Sequence, residues 1–131
     1  MTSATRKSAV KPAVVCSGID HVVLYARDVE RSVRFYVDIL GMTVNSQSLS
    51  HAFLRCGDQL FGIFAADGDA DMGRGIELSH LAFNVPSGTS ADIKKALAAH
   101  GVNATGRRAD PDCIYFSDPD GHRLQLRSPE E

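Results

Sequence analysis

Residues 19–25 read IDHVVLY and residues 78–85 read LSHLAFNV, so a histidine occupies the same place in two similar segments, one in each half of the chain. Both segments are rich in β-branched, aromatic and other apolar residues, which favour strands. Each is followed by apolar residues at helical spacing and then by a glycine, Gly41 in the first half and Gly101 in the second. Glycine is the residue that most readily closes a helix. The same order at nearly the same spacing predicts two duplicated modules.

Short strands are predicted after each helix. They are expected over residues 43–48, 52–56 and 59–65 in the first half, and over 102–106, 113–117 and 122–127 in the second. Residues 57–58 and 118–121 have the glycine, aspartate and proline that favour hairpin turns. Ser90 is the candidate N-cap of the second helix. The order predicts an α+β domain made of two βαβββ modules.

The composition narrows the class of protein. The chain has 131 residues, of which 44% are hydrophobic, enough for one compact domain. Its formal net charge of −2 gives no sign of a nucleic-acid partner. The sequence contains no apolar run long enough to predict a membrane-spanning helix. Its three cysteines form no CxxC pair. We therefore expect no disulfide scaffold, and a cytoplasmic location.

The chain divides unevenly along its length. Residues 1–17 are polar and basic, and we expect a disordered tail there. Residues 18–131 are expected to form the single domain, with modules at about 18–66 and 76–128. A segment rich in glycine and aspartate, residues 67–75, is the predicted linker between them.

Three residues are candidates for a metal site. Alternate side chains of a strand point to opposite faces, so His21, His80 and Gln125 can all face one concave surface. Two imidazoles and an oxygen donor suit a divalent transition metal. A single strand histidine is more often an ordinary polar residue, but duplication would carry a ligand position into both halves. Gln125 fits a simple hydrogen-bonding role nearly as well, because its amide oxygen is neutral.

Other side chains could contact a substrate in the same cleft. Tyr115 is the candidate catalytic residue, since its hydroxyl could hydrogen-bond a substrate oxygen, although packing is an equal alternative. The candidate substrate-binding residues are Phe53, Arg55, Phe64, Cys113 and Arg123. The two arginines could hold an anion, and a solvated surface role is their alternative. Cys113 has no base beside it in the sequence, which favours an inert thiol.

Four groups of residues together resemble the vicinal-oxygen-chelate superfamily of glyoxalases, bleomycin-resistance proteins and extradiol dioxygenases. They are residues 19–24, 32–42, 78–83 and 115–124, and they span nearly the whole predicted domain. The stretch 80–124 is especially similar to fosfomycin-resistance thiol transferases and single-domain extradiol dioxygenases. The resemblance implies curved sheets that form a cleft, which is the glyoxalase/bleomycin resistance/dioxygenase fold.

The resemblance also implies a ligand set, from which this chain departs twice. A histidine on the first strand of each module and a glutamate on the last strand typically hold the metal, and these positions match His21, His80 and Gln125. Glyoxalase I and related epimerases add a carboxylate on the last strand of the first module, and Gly62 stands there. Without that carboxylate we do not expect glyoxalase I or epimerase chemistry. A neutral amide at position 125 is expected to weaken metal binding.

Two functions from different classes remain. The first is a divalent-metal-dependent enzyme acting on a small substrate with vicinal oxygens, dioxygenase-like ahead of transferase-like, with iron, manganese, zinc or nickel bound weakly or not at all. The second is a metal-free protein that binds a small molecule or antibiotic, like the bleomycin-resistance members. A homodimer is expected in either case, with the site within one chain or shared between chains. No nucleic acid or membrane partner is expected.

Overall fold

The computed structural model of the chain describes residues 11–66 and 78–130. Within these residues the elements are β1 (His21–Ala26), α1 (Val29–Asp38), β2 (Thr43–Gln47), β3 (His51–Cys56), β4 (Gln59–Ala65), β5 (Leu81–Asn84), α2 (Ser90–Ala99), β6 (Ile114–Ser117) and β7 (Arg123–Arg127). Two sheets and two helices in this order confirm the predicted α+β class.

The first sheet has the strand order β1-β4-β3-β2 and comes from the first half of the chain. β1 and β4 run parallel, and α1 crosses between β1 and the β2–β4 meander. The Asp28 side chain begins α1 by accepting a 3.1 Å hydrogen bond from the Arg31 backbone N–H. Gly41, at a φ of +72°, follows the C-cap Ile39 and confirms the predicted closing glycine.

The second sheet has the order β5-β7-β6, one strand fewer than predicted. The prediction of a strand over residues 102–106 is wrong, because only an isolated β-bridge joins Thr105 to Tyr115. The chain turns away at once, because Arg107 and Asp110 exchange backbone hydrogen bonds of 2.9 and 3.1 Å in a tight loop. The position of this strand in the second module is therefore taken by an irregular segment.

The second helix begins one residue earlier than the sequence suggested. Its N-cap is Thr89 and not Ser90. The Thr89 hydroxyl accepts from the Asp92 backbone N–H at 3.1 Å, and the Asp92 carboxylate accepts from the Thr89 N–H. This reciprocal pair is a capping box, and it outweighs the intrinsic preference for serine at the cap.

The apolar faces of the two sheets pack on one another and on α1. Phe61 of β4 lies 5.9 Å from Phe83 of β5, ring centroid to ring centroid, and Phe35 of α1 lies 6.4 Å from Phe116 of β6. A fully buried Tyr36 extends the contact by donating a 2.6 Å hydrogen bond to Asp118. The modules therefore share one core, and their other faces remain for ligands.

Some of the predicted boundaries cannot be compared with the structure. The linker at residues 67–75, the first two residues of the second module and residues 1–10 of the tail lie outside the described residues. Residues 11–17 form no helix or strand. No helix in the described part of the chain is long and apolar enough to cross a membrane.

Candidate functional site

His80, Tyr115 and Gln125 lie together on one face of the second sheet. We call this surface the second-sheet face. In the register, Gln125 of β7 lies between Ala82 of β5 and Tyr115 of β6. His80 immediately precedes β5, and its ring meets the Tyr115 ring edge-on at 5.7 Å. Gln125 is 6% exposed, so the neighbouring strands restrict its amide. Three of the predicted site residues are therefore neighbours.

Two arginines lie against the Tyr115 ring. The guanidinium carbon of Arg123 is 4.4 Å from the ring centroid, and that of Arg107 is 5.8 Å from it. Both are within the range of a cation–π contact. Strand alternation predicted Arg123 as a substrate-binding residue. It did not predict a place for Arg107 beside Tyr115, because Arg107 lies on the irregular loop. With a neutral Gln125 beside them, these cations make the second-sheet face attractive to anions.

One face of the first sheet, the first-sheet face, carries His21 with two phenylalanines. The His21 ring lies 6.0 Å from the Phe53 ring, and Phe53 lies edge-on at 5.6 Å to Phe64. Arg55 is exposed on the same face of β3 and pairs with Leu60, which in turn pairs with His21. The predicted residues of the first module are thus clustered as well.

Gly62 lies in the middle of this face, and its missing side chain leaves space that its neighbours fill. A Cβ added to Gly62 would lie 2.8 Å from Val23 Cγ2 and 3.1 Å from Phe53 Cε1. The side chains of Phe53 and Val23 therefore occupy the space beside Gly62, the position at which the family resemblance implies a carboxylate in glyoxalase I. The first-sheet face presents an apolar wall there.

Each of the two candidate histidines has a hydrogen-bond partner on Nδ1. His21 Nδ1 lies 2.8 Å from Asp20 Oδ2, and His80 Nδ1 lies 3.2 Å from Ser79 Oγ. Such a partner orients an imidazole and leaves Nε2 to bind a metal. These partners were missed, although a polar residue precedes the histidine in both modules and this repeat could have revealed them.

The two faces are not brought together within one chain. Phe61 precedes Gly62 on β4, and Phe83 follows Ala82 on β5, so each face lies on the other side of its sheet from the shared core. Among the described residues, no hydrogen bond, ion pair or ring contact joins His21 to the second-sheet face. Nor do residues 11–66 and 78–130 contain a cluster of three histidine, cysteine or acidic side chains that could hold a metal.

A buried polar network positions the turn that leads into β7. The backbone N–H groups of Asp120 and His122 each donate a 2.9 Å hydrogen bond to Asp118 Oδ1. Asp118 Oδ2 accepts from Tyr36 and lies 2.8 Å from His122 Nδ1. Although burial opposes it, the hydrogen bonds from His122 and Tyr36 bring the pKa of Asp118 below its usual value. The bond to Asp118 raises the pKa of His122, against the effect of burial.

Cys113 does not present its thiol to a ligand. The residue is 1% exposed, and its Sγ donates to Asp110 Oδ2 at 3.0 Å. That hydrogen bond raises the pKa of the thiol, with a further contribution from burial. A protonated, enclosed thiol is a poor nucleophile.

Comparison with known proteins gives a consistent family. The model of the Glyoxalase/Bleomycin resistance protein/Dioxygenase superfamily matches residues 18–126. The glutathione transferase FosA of Serratia marcescens is 29% identical over 111 residues, which cover 82% of this chain and 78% of that protein. The metallothiol transferase FosB of Staphylococcus haemolyticus is 29% identical over 119 residues, covering 85% and 83%.

The fold is also found among solved structures. The fosfomycin resistance protein FosX from Listeria monocytogenes is 25% identical, with a TM-score of 0.71 over 86% of this chain and 91% of that one. Two of the relatives are transferases by name. The sequence favoured a dioxygenase-like enzyme ahead of a transferase-like one, and these names agree with the transferase-like alternative. The family model, which matches most of the chain, confirms the resemblance seen in the sequence. The chain belongs to the Glyoxalase/Bleomycin resistance protein/Dioxygenase superfamily.

Proposed function

We propose that the protein is a divalent-metal-dependent, transferase-like enzyme that acts on a small anionic substrate with vicinal oxygens. The observation that carries the proposal is that His21 and His80 have the same hydrogen-bonding arrangement. In each, Nδ1 is in a hydrogen bond with the preceding residue, and Nε2 is left for a ligand. The transferase names of the relatives favour group transfer over ring cleavage.

The donor set fits a divalent metal, but weakly. His21, His80 and Gln125 would hold it, and all three are neutral donors. A metal bound there would supply a Lewis acid and a template for two substrate oxygens. Because a carboxylate is missing, we expect lower affinity than in a site with glutamate at position 125.

The arrangement supports a site shared between two copies of the chain. The first-sheet and second-sheet faces lie on opposite sides of their sheets from the common core, so His21 meets His80 and Gln125 only if a second copy supplies one of the faces. Val23 and Tyr25, beside His21 on β1, are 37% and 58% exposed. Covering such a face is a usual role of a symmetric dimer.

The protein's own side chains would bind and orient the substrate. Arg123 and Arg107 would hold an anionic group, and the Tyr115 hydroxyl, which makes no hydrogen bond within the described residues, could donate to a substrate oxygen. Phe53 and Phe64 would contact an apolar part from the first-sheet face. The substrate we expect has a charged end and an apolar end.

A metal-free binding protein is the second candidate. The observation that favours it is the apolar wall at Gly62, where Val23 and Phe53 stand against the position of a fourth ligand. In a site shared between two copies, such a wall would face the arginines of the second copy and could retain a small anionic molecule without a metal.

Calorimetric titration with Mn(II), Fe(II), Zn(II) and Ni(II) separates the two candidates. We expect weak binding to the native protein, at least about tenfold tighter binding to Gln125→Glu, and no change in Gln47→Glu, which adds the same charge on the exposed strand β2. A parallel assay of thiol transfer to fosfomycin should show more activity in Gln125→Glu. Absence of metal binding to both the native protein and Gln125→Glu would leave the binding protein as the better account.

A further inference from the structure

A cavity of about 290 Å³ lies among α2, the end of α1 and the apolar faces of the two sheets. From α2 it is lined by Ile93, Ala96 and Leu97, and from the second sheet by Phe83 and Leu126. Its volume is near the lower end of ordinary ligand pockets. At the roughly 30 Å³ that a water occupies in the liquid, it has room for about ten non-hydrogen atoms.

This core-side cavity is separate from the candidate metal site. Phe83 alternates with Ala82 along β5, and Leu126 alternates with Gln125 along β7, so the cavity and the second-sheet face are on opposite sides of the same strands. A molecule in the cavity would contact neither His80 nor Gln125.

The lining determines what the cavity can hold. Most of it is aliphatic or aromatic, and no Asp, Glu, Lys or Arg is among the described residues that form it. Polar groups come from the exposed His100 and from the half-buried Cys56, whereas Asn84 borders the cavity but its side chain alternates to the second-sheet face with Ala82. A charged molecule would lose its hydration there without gaining a partner.

The helix over the cavity is loosely held. Of the ten residues of α2, only Leu97 is buried. The small and exposed Ala96 borders the cavity, so the helix does not fill the space between itself and β5. An apolar volume of this kind does not retain ordered water, which needs polar partners, and is available to an apolar guest.

We propose that the core-side cavity binds a small, uncharged and predominantly apolar molecule, with a single hydrogen-bonding group directed to His100. The core-side cavity is independent of the candidate metal site in position and in chemistry. The arginines near Tyr115 favour anions, whereas the apolar cavity excludes anions. Occupancy fills the space beneath α2 and stabilises the folded protein.

Indole, which has nine non-hydrogen atoms and one N–H donor, is the probe. We expect saturable binding by calorimetry with a rise in the melting temperature, and amide shifts in NMR spectra centred on Ile93 and Leu97. Ala96→Trp, which fills the cavity, should weaken binding at least about tenfold. Ala99→Trp, on the same helix but not in the lining, should bind indole like the native protein. Equal binding in both variants, or no saturable binding to the native protein, would overturn the proposal.

Alkylation of thiols in the native protein gives a second measurement, which does not depend on any variant folding. Burial raises the pKa of Cys56, so N-ethylmaleimide should label it slowly at pH 8. Indole should slow labelling of Cys56 several-fold and leave the exposed Cys16 unaffected, which makes Cys16 an internal control. If Cys56 is labelled at the same rate with and without indole, the cavity is not the binding site.

Discussion

Removing the Tyr36 hydroxyl tests the contact that fixes the two modules against each other. Tyr36 is fully buried, and its hydroxyl donates to a carboxylate, Asp118 Oδ2, at 2.6 Å. A hydrogen bond to a charged group contributes about 1.5–3 kcal/mol, and its removal here leaves a buried carboxylate short of one donor. Tyr36→Phe keeps the ring, so no large cavity contributes to the loss.

We therefore expect Tyr36→Phe to lower the free energy of unfolding by about 2 kcal/mol, and the melting temperature by roughly 5–10 °C for a domain of this size. The assay is urea unfolding at pH 7, where Asp118 is ionised, with equal protomer concentrations because assembly would also affect stability. Tyr25→Phe is the matched control. Tyr25 is 58% exposed, and its change should be within about 0.5 kcal/mol.

A Tyr36→Phe protein as stable as Tyr25→Phe would refute this reasoning. The turn before β7 would then be held by other contacts, and the buried network could not be the reason that Gln125 and the second-sheet face have their position. The pairing of Phe61 with Phe83 would be left as the main contact between the sheets.

Three further predictions concern stability. Because Asp118 raises the pKa of His122 in the folded state, the stability from this pair is complete below the ordinary histidine pKa of about 6.5 and is lost as pH rises through the raised value; urea midpoints measured from pH 5 to 9 should fall over that window, and His122→Gln should flatten the fall. Thr89→Ala removes the cap of α2 and should cost about 1 kcal/mol by the same unfolding assay, and no loss would mean that the capping box does not hold the helix. Gly62→Ala places a Cβ 2.8 Å from Val23 Cγ2 and should destabilise by about 1–3 kcal/mol in thermal melts, whereas a neutral result would show that Val23 moves freely.

The sequence predicted what depends on local pattern. Duplication placed His21 and His80 alike, and their role as metal ligands stays a prediction. Gly41 and Gly101 were predicted to close the helices because a left-handed backbone at a helix end favours glycine, and both have positive φ, at +72° and +78°. The residues that alternate along β7 were also assigned to the correct faces, since Leu124 is buried in the shared core.

What could not be predicted depends on contacts between distant segments. Strand alternation assigns a side chain to one face of its sheet, but it does not predict which faces of two sheets pack together. In the structure, the contact between Phe61 and Phe83 shows which two faces meet. The pattern of residues 102–106 is compatible with a strand, but the loop closed between Arg107 and Asp110 leaves only a bridge at Thr105. Arg107 was missed for the same reason, because nothing in an irregular segment indicates where its side chain lies.

The most direct test of the central claim, a metal site shared between two copies, is a mixing experiment with His21→Ala and His80→Ala, both made in the Gln125→Glu background to strengthen binding. Each variant alone should bind no Mn(II), since two ligands do not hold the ion. After the two are unfolded together and refolded, a mixed dimer has one site that lacks both histidines and one that is intact. With random pairing, Mn(II) binding should therefore return to about one quarter of the unmutated capacity. If Gln125→Glu alone binds Mn(II) and the refolded mixture binds none, the site is not shared between chains, and the account is wrong.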